Sequence, residues 1–323
     1  MLVSHGFPCR RIRMSRVMLM KKGRLMACLA LCFLLVWFLA DAADVRQATA
    51  EGLSLCARSA VPALFPFLVV SSLLLRLGFG ELAAPWLAGL MEPLFRVPGA
   101  GSAALLLGLI GGYPIGAQTA ADLYREGLAD RAEAERLLAF TNNSNPVFLI
   151  SVLGVGVFGS VRAGVWLWLI HVLSALLTGL LFRGSGKNAG HHQPVSWKMP
   201  VRTVRLTSAF VEAVRSALSG ILSVCAFVTF FYVLARPLAR VGGRLGPVLV
   251  GLTELFSLTP LLPADRFGFV LAAGCAGWGG LSVLCQTAAV LDGSGLSLKN
   301  CFRGKAIQGV LSALLASLVW GWL

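Results

Sequence analysis

The stretch GGYPIGAQTAADLYREGL at residues 111–128 returns in altered form as GGLSVLCQTAAVLDGSGL at residues 279–296. The two stretches lie 168 residues apart, align without a gap and are identical at nine of 18 positions, including the glycine pair and the run QTAA. Glycine pairs disfavour a continuous helix, and in the first stretch a Tyr-Pro step adds to this effect. The motifs therefore predict two helices that are interrupted at equivalent points.

The composition of the chain is that of a helical membrane protein. Of its 323 residues, 57% are hydrophobic and only 13% are charged, and the mean hydropathy is +0.80. A soluble domain carries about 25% charged residues. Several apolar runs approach the length of about 20 residues that crosses a hydrocarbon core, and the short alternating segments of a membrane barrel do not occur. We therefore predict an all-α, polytopic membrane protein in contact with the lipid bilayer.

Two basic segments without acidic residues determine the predicted topology. Residues 1–24 contain seven Lys or Arg, and residues 183–205 contain five. Short loops rich in Lys and Arg stay in the cytoplasm, so both segments, and with them the N-terminus, are expected there. The net charge of +14 is explained by basic residues that keep loops in the cytoplasm and favour contact with anionic lipid. No nucleic-acid partner is therefore expected.

The order of the apolar runs predicts five parts of the chain. These are a basic cytoplasmic tail (1–24), a first span with an external loop (25–51), a first repeat (52–182), a basic cytoplasmic linker (183–207) and a second repeat (208–323). The first span, Leu25–Ala40, would alternatively be a cleaved signal peptide, because Ala40-Asp41-Ala42 resembles a cleavage site.

The two repeats are predicted to have opposite orientations in the membrane. With the N-terminus inside, the span Leu53–Leu77 starts outside, whereas its counterpart Ser208–Ala235 starts from the cytoplasmic linker. Such an inverted repeat with broken or re-entrant helices is the plan of many secondary transporters. Arg236, Arg240 and Arg244 would then lie outside, against the positive-inside rule.

The repeated motif predicts a binding or gating site. Unpaired amides cost several kcal/mol in hydrocarbon, so interrupted backbone must be buried in protein or line a wet cavity. Helix N-termini at the interruptions offer free N–H groups and a partial positive charge that suit a polar or anionic solute. Close helix packing is the alternative role for the glycines. The candidate solute-binding residues are Gly111, Gly112, Tyr113, Pro114, Gln118, Thr119, Asn142, Asn143, Ser144, Asn145, Gly279, Gly280, Ser282, Gln286 and Thr287.

Further polar residues stand in apolar surroundings. The amides of FTNNSNPVF at residues 140–148 would bind a solute or, alternatively, form turns and helix caps. Glu92 and Glu254, in the related stretches GLMEPLF and GLTELF, are ion-coupling candidates because membrane carboxylates are costly, unless both lie at an interface. His171 is expected to form a helix–helix hydrogen bond.

No pattern typical of an enzyme or a metal site occurs in the sequence. The eight cysteines are scattered, His191 and His192 have no acidic or cysteine partner nearby, and neither a Ser/His/Asp arrangement nor a P-loop is found. We therefore predict no enzymatic activity, no metal and no cofactor.

Three motifs carry a resemblance to a known family. The stretches GLIGGYPIGAQTAADL, RAEAERLLAFTNNSNPVF and GWGGLSVLCQ resemble the sporulation integral membrane proteins with a nucleoside-recognition, or Gate, domain, over roughly residues 25–323. Gate domains recur in nucleoside transporters and ferrous-iron transport proteins. The resemblance implies a multi-pass protein of the inner membrane of an endospore-forming bacterium. Leu284-Cys285 departs from the His-Ala expected before Gln286, which removes a polar side chain from the second motif.

Together, these observations predict a secondary transporter or permease for a small polar solute, with nucleoside-like solutes among the candidates. The alternative is a non-transporting membrane scaffold for spore-envelope assembly. The expected protein partners are a second copy of the chain or another spore-assembly protein.

Overall fold

The structure, a computed structural model, describes residues 9–184 and 205–322, and all regular structure in these two ranges is helical. Within these ranges, six helical segments are long and apolar enough to span a membrane, which confirms the predicted all-α, polytopic class. The chain divides into two compact units, Met1–Ala50 and Glu51–Leu323. Most of the basic linker, including His191 and His192, lies outside the described residues.

The first unit contains the N-terminal helix α1 (Cys9–Ala40), within which Gly23–Ala40 is a candidate span. Asp41 alone separates α1 from α2 (Ala42–Leu55). The structure thus has helix where the sequence predicted an external loop up to residue 51. Residues 42–51 include Ala, Arg, Gln and Glu, which favour helix but do not register in a search for apolar runs.

Beyond α2, the second unit contains twelve further α-helices within the described residues. They are α3 (Val61–Arg76), α4 (Phe79–Phe95), α5 (Gly101–Gly111), α6 (Ile115–Arg125), α7 (Arg131–Leu137), α8 (Val161–Leu181), α9 (Leu206–Ala239), α10 (Leu245–Thr253), α11 (Leu255–Leu258), α12 (Arg266–Trp278), α13 (Gly280–Leu291) and α14 (Lys299–Val319). Two π-helices, Cys56–Ala60 and Phe148–Val157, and two 3₁₀-helices, Thr259–Leu261 and Trp320–Trp322, complete the description.

A proline changes the helical winding between α2 and α3. Pro62 has no N–H group, so the carbonyl of Arg58 cannot accept the usual bond from a residue four positions later. The π-helix Cys56–Ala60 lies just before this point, and the N–H of Val61 donates to the carbonyl of Cys56, five positions earlier. The chain from α2 to α3 is therefore helical throughout and has a wider turn just before Pro62.

The repeated glycine motifs interrupt two helices, as predicted. The first interruption, residues 112–114, separates α5 from α6, and the second, at Gly279, separates α12 from α13. Helices α6 and α13 pack against each other, with Ala120 and Leu284 in the same buried cluster. The two QTAA segments therefore lie in adjacent helices.

A capping box formed by Asp130 and Glu133 begins α7. The Glu133 N–H donates to Asp130 Oδ1 at 2.7 Å, and the Asp130 N–H donates to Glu133 Oε2 at 2.7 Å. The two residues satisfy backbone donors that the first helical turn leaves unpaired. The cap thus defines the residue at which α7 begins.

Large apolar side chains cover the outer faces of the spans. Leu222, Val310 and Leu318 are 61%, 61% and 74% exposed. Contiguous exposed apolar surface is unfavourable in water and favourable in lipid. Polar residues are instead concentrated inside the second unit, among them Asn142, Asn143 and Gln286. These candidate polar residues therefore lie in the interior of the second unit.

Candidate functional site

The first interruption is built on a glycine conformation. Gly112 has φ +83° and ψ −171°, a combination that is essentially restricted to glycine. The following Tyr113-Pro114 peptide bond is cis. Helix α5 ends with a bond from the Gly112 N–H to the Gly108 carbonyl, at 3.1 Å, and α6 begins anew at Ile115. The first residues of α6, Ile115, Gly116 and Ala117, are buried.

The second interruption uses two residues with positive φ, Gly279 at +84° and Gly280 at +85°. A Cβ atom added at Gly280 would lie 3.0 Å from the carbonyl oxygen of Thr253 and 3.3 Å from Cα of Glu254. Glycine is therefore required for both the dihedral angles and the close approach. This approach brings the start of α13 against the end of α10.

The two interruptions contact each other through Tyr113. The Tyr113 hydroxyl donates to the carbonyl oxygen of Ala276, at 2.8 Å, in the last turn of α12. A Cβ added at Gly279 would lie 3.2 Å from that hydroxyl oxygen. Carbonyls in the last turn of a helix lack partners within the helix, so Tyr113 satisfies an acceptor that the second interruption exposes. The repeated motifs thus meet in the interior.

Residues 141–145, called here the asparagine loop, lie against glycine surfaces. Added Cβ atoms at Gly108 and Gly116 would both overlap the carbonyl oxygen of Thr141. A Cβ at Gly304 in α14 would overlap the carbonyl oxygen of Ala139, just before the loop. Glycine at these three positions lets three helices, α5, α6 and α14, approach irregular backbone closely, which is the packing role that the sequence left open.

Hydrogen bonds anchor the asparagine loop to surrounding elements. Asn142 Nδ2 donates to Thr287 Oγ1 at 2.8 Å, which connects the loop to the second QTAA segment. The Ser144 N–H donates to His171 Nε2 at 3.1 Å. His171 therefore bonds α8 to loop backbone, where the sequence predicted a helix–helix bond.

The loop asparagines also close turns and caps, the alternative role that the sequence allowed. Asn145 Oδ1 accepts the N–H of Phe148 at 2.7 Å, and Asn143 Nδ2 donates to the carbonyl of Phe140 at 2.7 Å. Asn145 Nδ2 additionally donates to the carbonyl of Ala63 in α3, at 3.4 Å. Asn145 thus joins three segments of the chain.

A small cavity lies where the asparagine loop, both motifs and α9 converge. Its volume is about 20 Å³, room for about one water molecule. Its polar lining comes from five residues that the sequence proposed, namely Tyr113, Ser144, Asn145, Glu254 and Gln286. Its apolar lining is Leu64, Phe148, Val224, Val228, Leu255, Phe256 and Val283. We call this space the central cavity.

The two candidate glutamates have different surroundings. Glu254 lies in the gap between α10 and α11, is 1% exposed and lines the central cavity. Its Oε2 accepts from the Ser257 hydroxyl at 2.6 Å and from the Ser257 N–H. Glu92 lies within α4, is exposed and is not among the residues that line the cavity. Of the two glutamates, only Glu254 lines the cavity.

Apart from Gln286, the other candidate residues surround the cavity without lining it. Thr119 and Thr287, equivalent in the two motifs, each donate to the carbonyl four residues earlier, Ile115 and Val283. Gln286 lines the cavity and donates to Ser282 Oγ at 3.3 Å, whereas its counterpart Gln118 is only partly buried and does not line it. Gly111, Gly112, Pro114, Asn142, Asn143, Gly279 and Gly280 shape the neighbouring backbone.

The sequence interpretation missed a polar cluster on α14. Lys305, Gln308 and Ser312 are each 0% exposed. Lys305 Nζ donates to the carbonyl of Asn142 at 2.9 Å, and Ser312 Oγ lies 2.8 Å from Ser174 Oγ. The available signal was the spacing of these residues at three and four positions, which places them on one helix face. Apolar patterning hides this signal, because the last apolar run starts near Ala306, whereas α14 begins seven residues earlier, at Lys299.

Comparisons with known proteins agree with the resemblance inferred from the motifs. The family described as nucleoside recognition (Gate) matches residues 57–164. The chain is also 29% identical over 314 residues to the sporulation integral membrane protein YlbJ of Bacillus subtilis (strain 168), covering 85% of this chain and 77% of that protein. No solved structure matches the chain. The matched segment contains the first interruption and the asparagine loop.

Proposed function

We propose that this chain, which carries a nucleoside-recognition (Gate) segment, is a secondary transporter or permease for a small polar solute in the cell membrane during sporulation. The single observation that carries the proposal is the central cavity, in which polar residues of both motifs and the asparagine loop face one buried space. Nucleoside-like solutes are the first candidates because of the matched family's description.

The lining of the central cavity suits recognition of a polar, uncharged or weakly anionic group. Asn145 and Gln286 offer amide groups that both donate and accept, Tyr113 and Ser144 offer hydroxyls, and Glu254 offers carboxylate oxygens. Helices α6 and α13 begin at the interruptions beside it, and helix N-termini add partial positive charge. Sugar hydroxyls and base edges would find both kinds of partner.

The volume of the central cavity implies that a solute enters only after a conformational change. Small-molecule sites enclose about 300 Å³ or more, whereas this cavity measures about 20 Å³. In the proposed cycle the present arrangement is therefore a closed state, and transport requires the interrupted helices to separate. An inverted pair of repeats, which we retain as a prediction, would let such a separation occur on either side of the membrane.

The test compares two equivalent glutamines in a transport assay. Purified protein in proteoliposomes would be tested for uptake of radiolabelled uridine, adenosine and guanosine. We expect Gln286→Leu, which alters the cavity lining, to lose uptake, and Gln118→Leu, which alters the equivalent residue away from the cavity, to retain it. Gly112→Leu and Asn143→Leu are expected to abolish transport or spore formation without preventing membrane insertion.

Other outcomes would point to another site or to a scaffold. Equal activity of Gln286→Leu and wild type, in uptake and in spore formation, would show that the central cavity is not the solute site. Absence of uptake for every solute screened, together with a stable partner captured by crosslinking in sporulating cells, would favour the scaffold function.

A further inference from the structure

A lysine side chain is enclosed beside the two interruptions. Lys305 lies on α14 and is 0% exposed. Its Nζ donates to the carbonyl oxygen of Asn142 at 2.9 Å and to Gln308 Oε1 at 2.8 Å, and it lies 4.9 Å from the centroid of the Tyr113 ring. All three partners are neutral groups that attract a cation.

The partners of Lys305 differ from those of an ordinary ion pair. In the two described ranges of the chain, no carboxylate forms a salt bridge with Lys305. Cations within membranes are costly and are otherwise paired with acids or backbone carbonyls. Here the ammonium is held by a carbonyl of irregular backbone, a side-chain amide and an aromatic face. Secondary transporters hold free coupling cations with oxygens of unwound backbone in this manner.

The asparagine loop contains further acceptor oxygens. Asn142 Oδ1 is buried and has no hydrogen-bond partner among the described residues, so the loop offers acceptor capacity beyond the carbonyl that Lys305 uses. Gln308 accepts from Lys305 and donates from Nε2 to Asn143 Oδ1 at 2.9 Å. The ammonium therefore fixes two residues of the asparagine loop, one directly and one through Gln308.

We propose that this cluster is a monovalent-cation site in which the ammonium of Lys305 takes the place of a free coupling cation. Lys305 is a positioning residue, because it holds the asparagine loop whose Ser144 and Asn145 line the central cavity. Where the inference extends to coupling, it rests on the proposed transport function. The tethered cation would make solute movement independent of sodium.

The test of the site itself is chemical rescue of thermal stability. Lys305→Ala removes three methylene groups and the ammonium, which n-propylammonium would replace. The full chain, purified in detergent, would be unfolded by heat with n-propylammonium chloride, n-propanol or choline chloride. We expect the Tm of Lys305→Ala to fall by about 5 °C or more, because buried acceptors lose their donor, and to rise again with n-propylammonium only.

Two further variants make the result specific. Lys305→Met keeps most of the volume without the charge, so its Tm should fall and n-propylammonium should not restore it. Lys299→Ala is the matched control, because Lys299 lies on the same helix and is exposed; its Tm should equal that of wild type. Equal rescue by n-propanol and n-propylammonium, or a wild-type Tm for Lys305→Met, would overturn the cation site.

Sodium dependence tests the coupling separately. If the solute is taken up, uptake by wild type should be unchanged when choline replaces sodium, and a requirement for sodium would refute the coupling role. Failure of the transport proposal would leave the rescue experiment interpretable, because rescue measures stability alone. Conversely, sodium-independent uptake without rescue would reject the tethered cation while the transport function stands.

Discussion

Replacement of Gly116 by alanine is the sharpest perturbation of the candidate site. Gly116 is buried in α6, and a Cβ there would overlap the carbonyl oxygen of Thr141 and lie 3.0 Å from Cα of Asn142. Both neighbours are backbone atoms of the asparagine loop, so no side-chain rotation relieves the overlap. Either the loop or α6 must move. The loop is held by α14 through Lys305, and α6 packs against α13.

The size of the effect follows from the cost of overpacking. Adding a methyl group where backbone must shift costs about 1–3 kcal/mol. At about 2–4 °C per kcal/mol, this corresponds to a fall in Tm of about 2–12 °C. Alanine favours helix over glycine by about 1 kcal/mol, so the measured loss falls towards the lower part of this range.

The assay is heat unfolding of the detergent-purified chain, followed by uptake or spore-formation measurements. Gly89→Ala is the matched control, because a Cβ at Gly89 in α4 would meet nothing within 4 Å. This control should be unchanged or more stable by up to about 1 kcal/mol. If Gly116→Ala were as stable and as active as Gly89→Ala, the close contact between α6 and the asparagine loop would be refuted.

Three further predictions concern single contacts and topology. Tyr113→Phe should lower the free energy of unfolding by about 1–3 kcal/mol in denaturation experiments, because the buried carbonyl of Ala276 loses its donor. Asp130→Ala should cost about 1 kcal/mol and speed hydrogen exchange at the Glu133 amide, since the capping box is lost. In a background without the eight native cysteines, single cysteines in residues 183–205 and 236–244 should react with an impermeant maleimide from opposite sides of the membrane; labelling from one side would refute the inverted repeat.

The sequence predicted best where local backbone chemistry decides the structure. The interruptions at Gly112 and Gly279 need positive φ, and glycine pairs in apolar runs signal this directly. The capping box of Asp130 and Glu133 has a fixed spacing that is readable without any tertiary information. Such features depend on a few neighbouring residues only.

Features that depend on tertiary packing could not be predicted in the same way. Glu92 and Glu254 occur in similar stretches, yet one lies exposed within a continuous helix and the other caps a helix start inside the protein. Lys305 precedes an apolar run and therefore resembles an interfacial lysine. Its enclosure depends on Asn142 of the asparagine loop, 163 residues earlier in the chain. The π-helix Phe148–Val157 has no period that hydrophobic patterning detects.

That π-helix begins three residues after Asn145 and stores extra residues in each turn relative to an α-helix. If one π-helical turn changed to α-helical geometry, that turn would contain one residue fewer. The backbone on one side of the turn would then rotate by about 100° relative to the other side. With α8 held in place, the rotation would be delivered to the Asn145 end. A change from π- to α-helical geometry would thus reorient the Asn145 side chain in the central cavity while every helix stays folded.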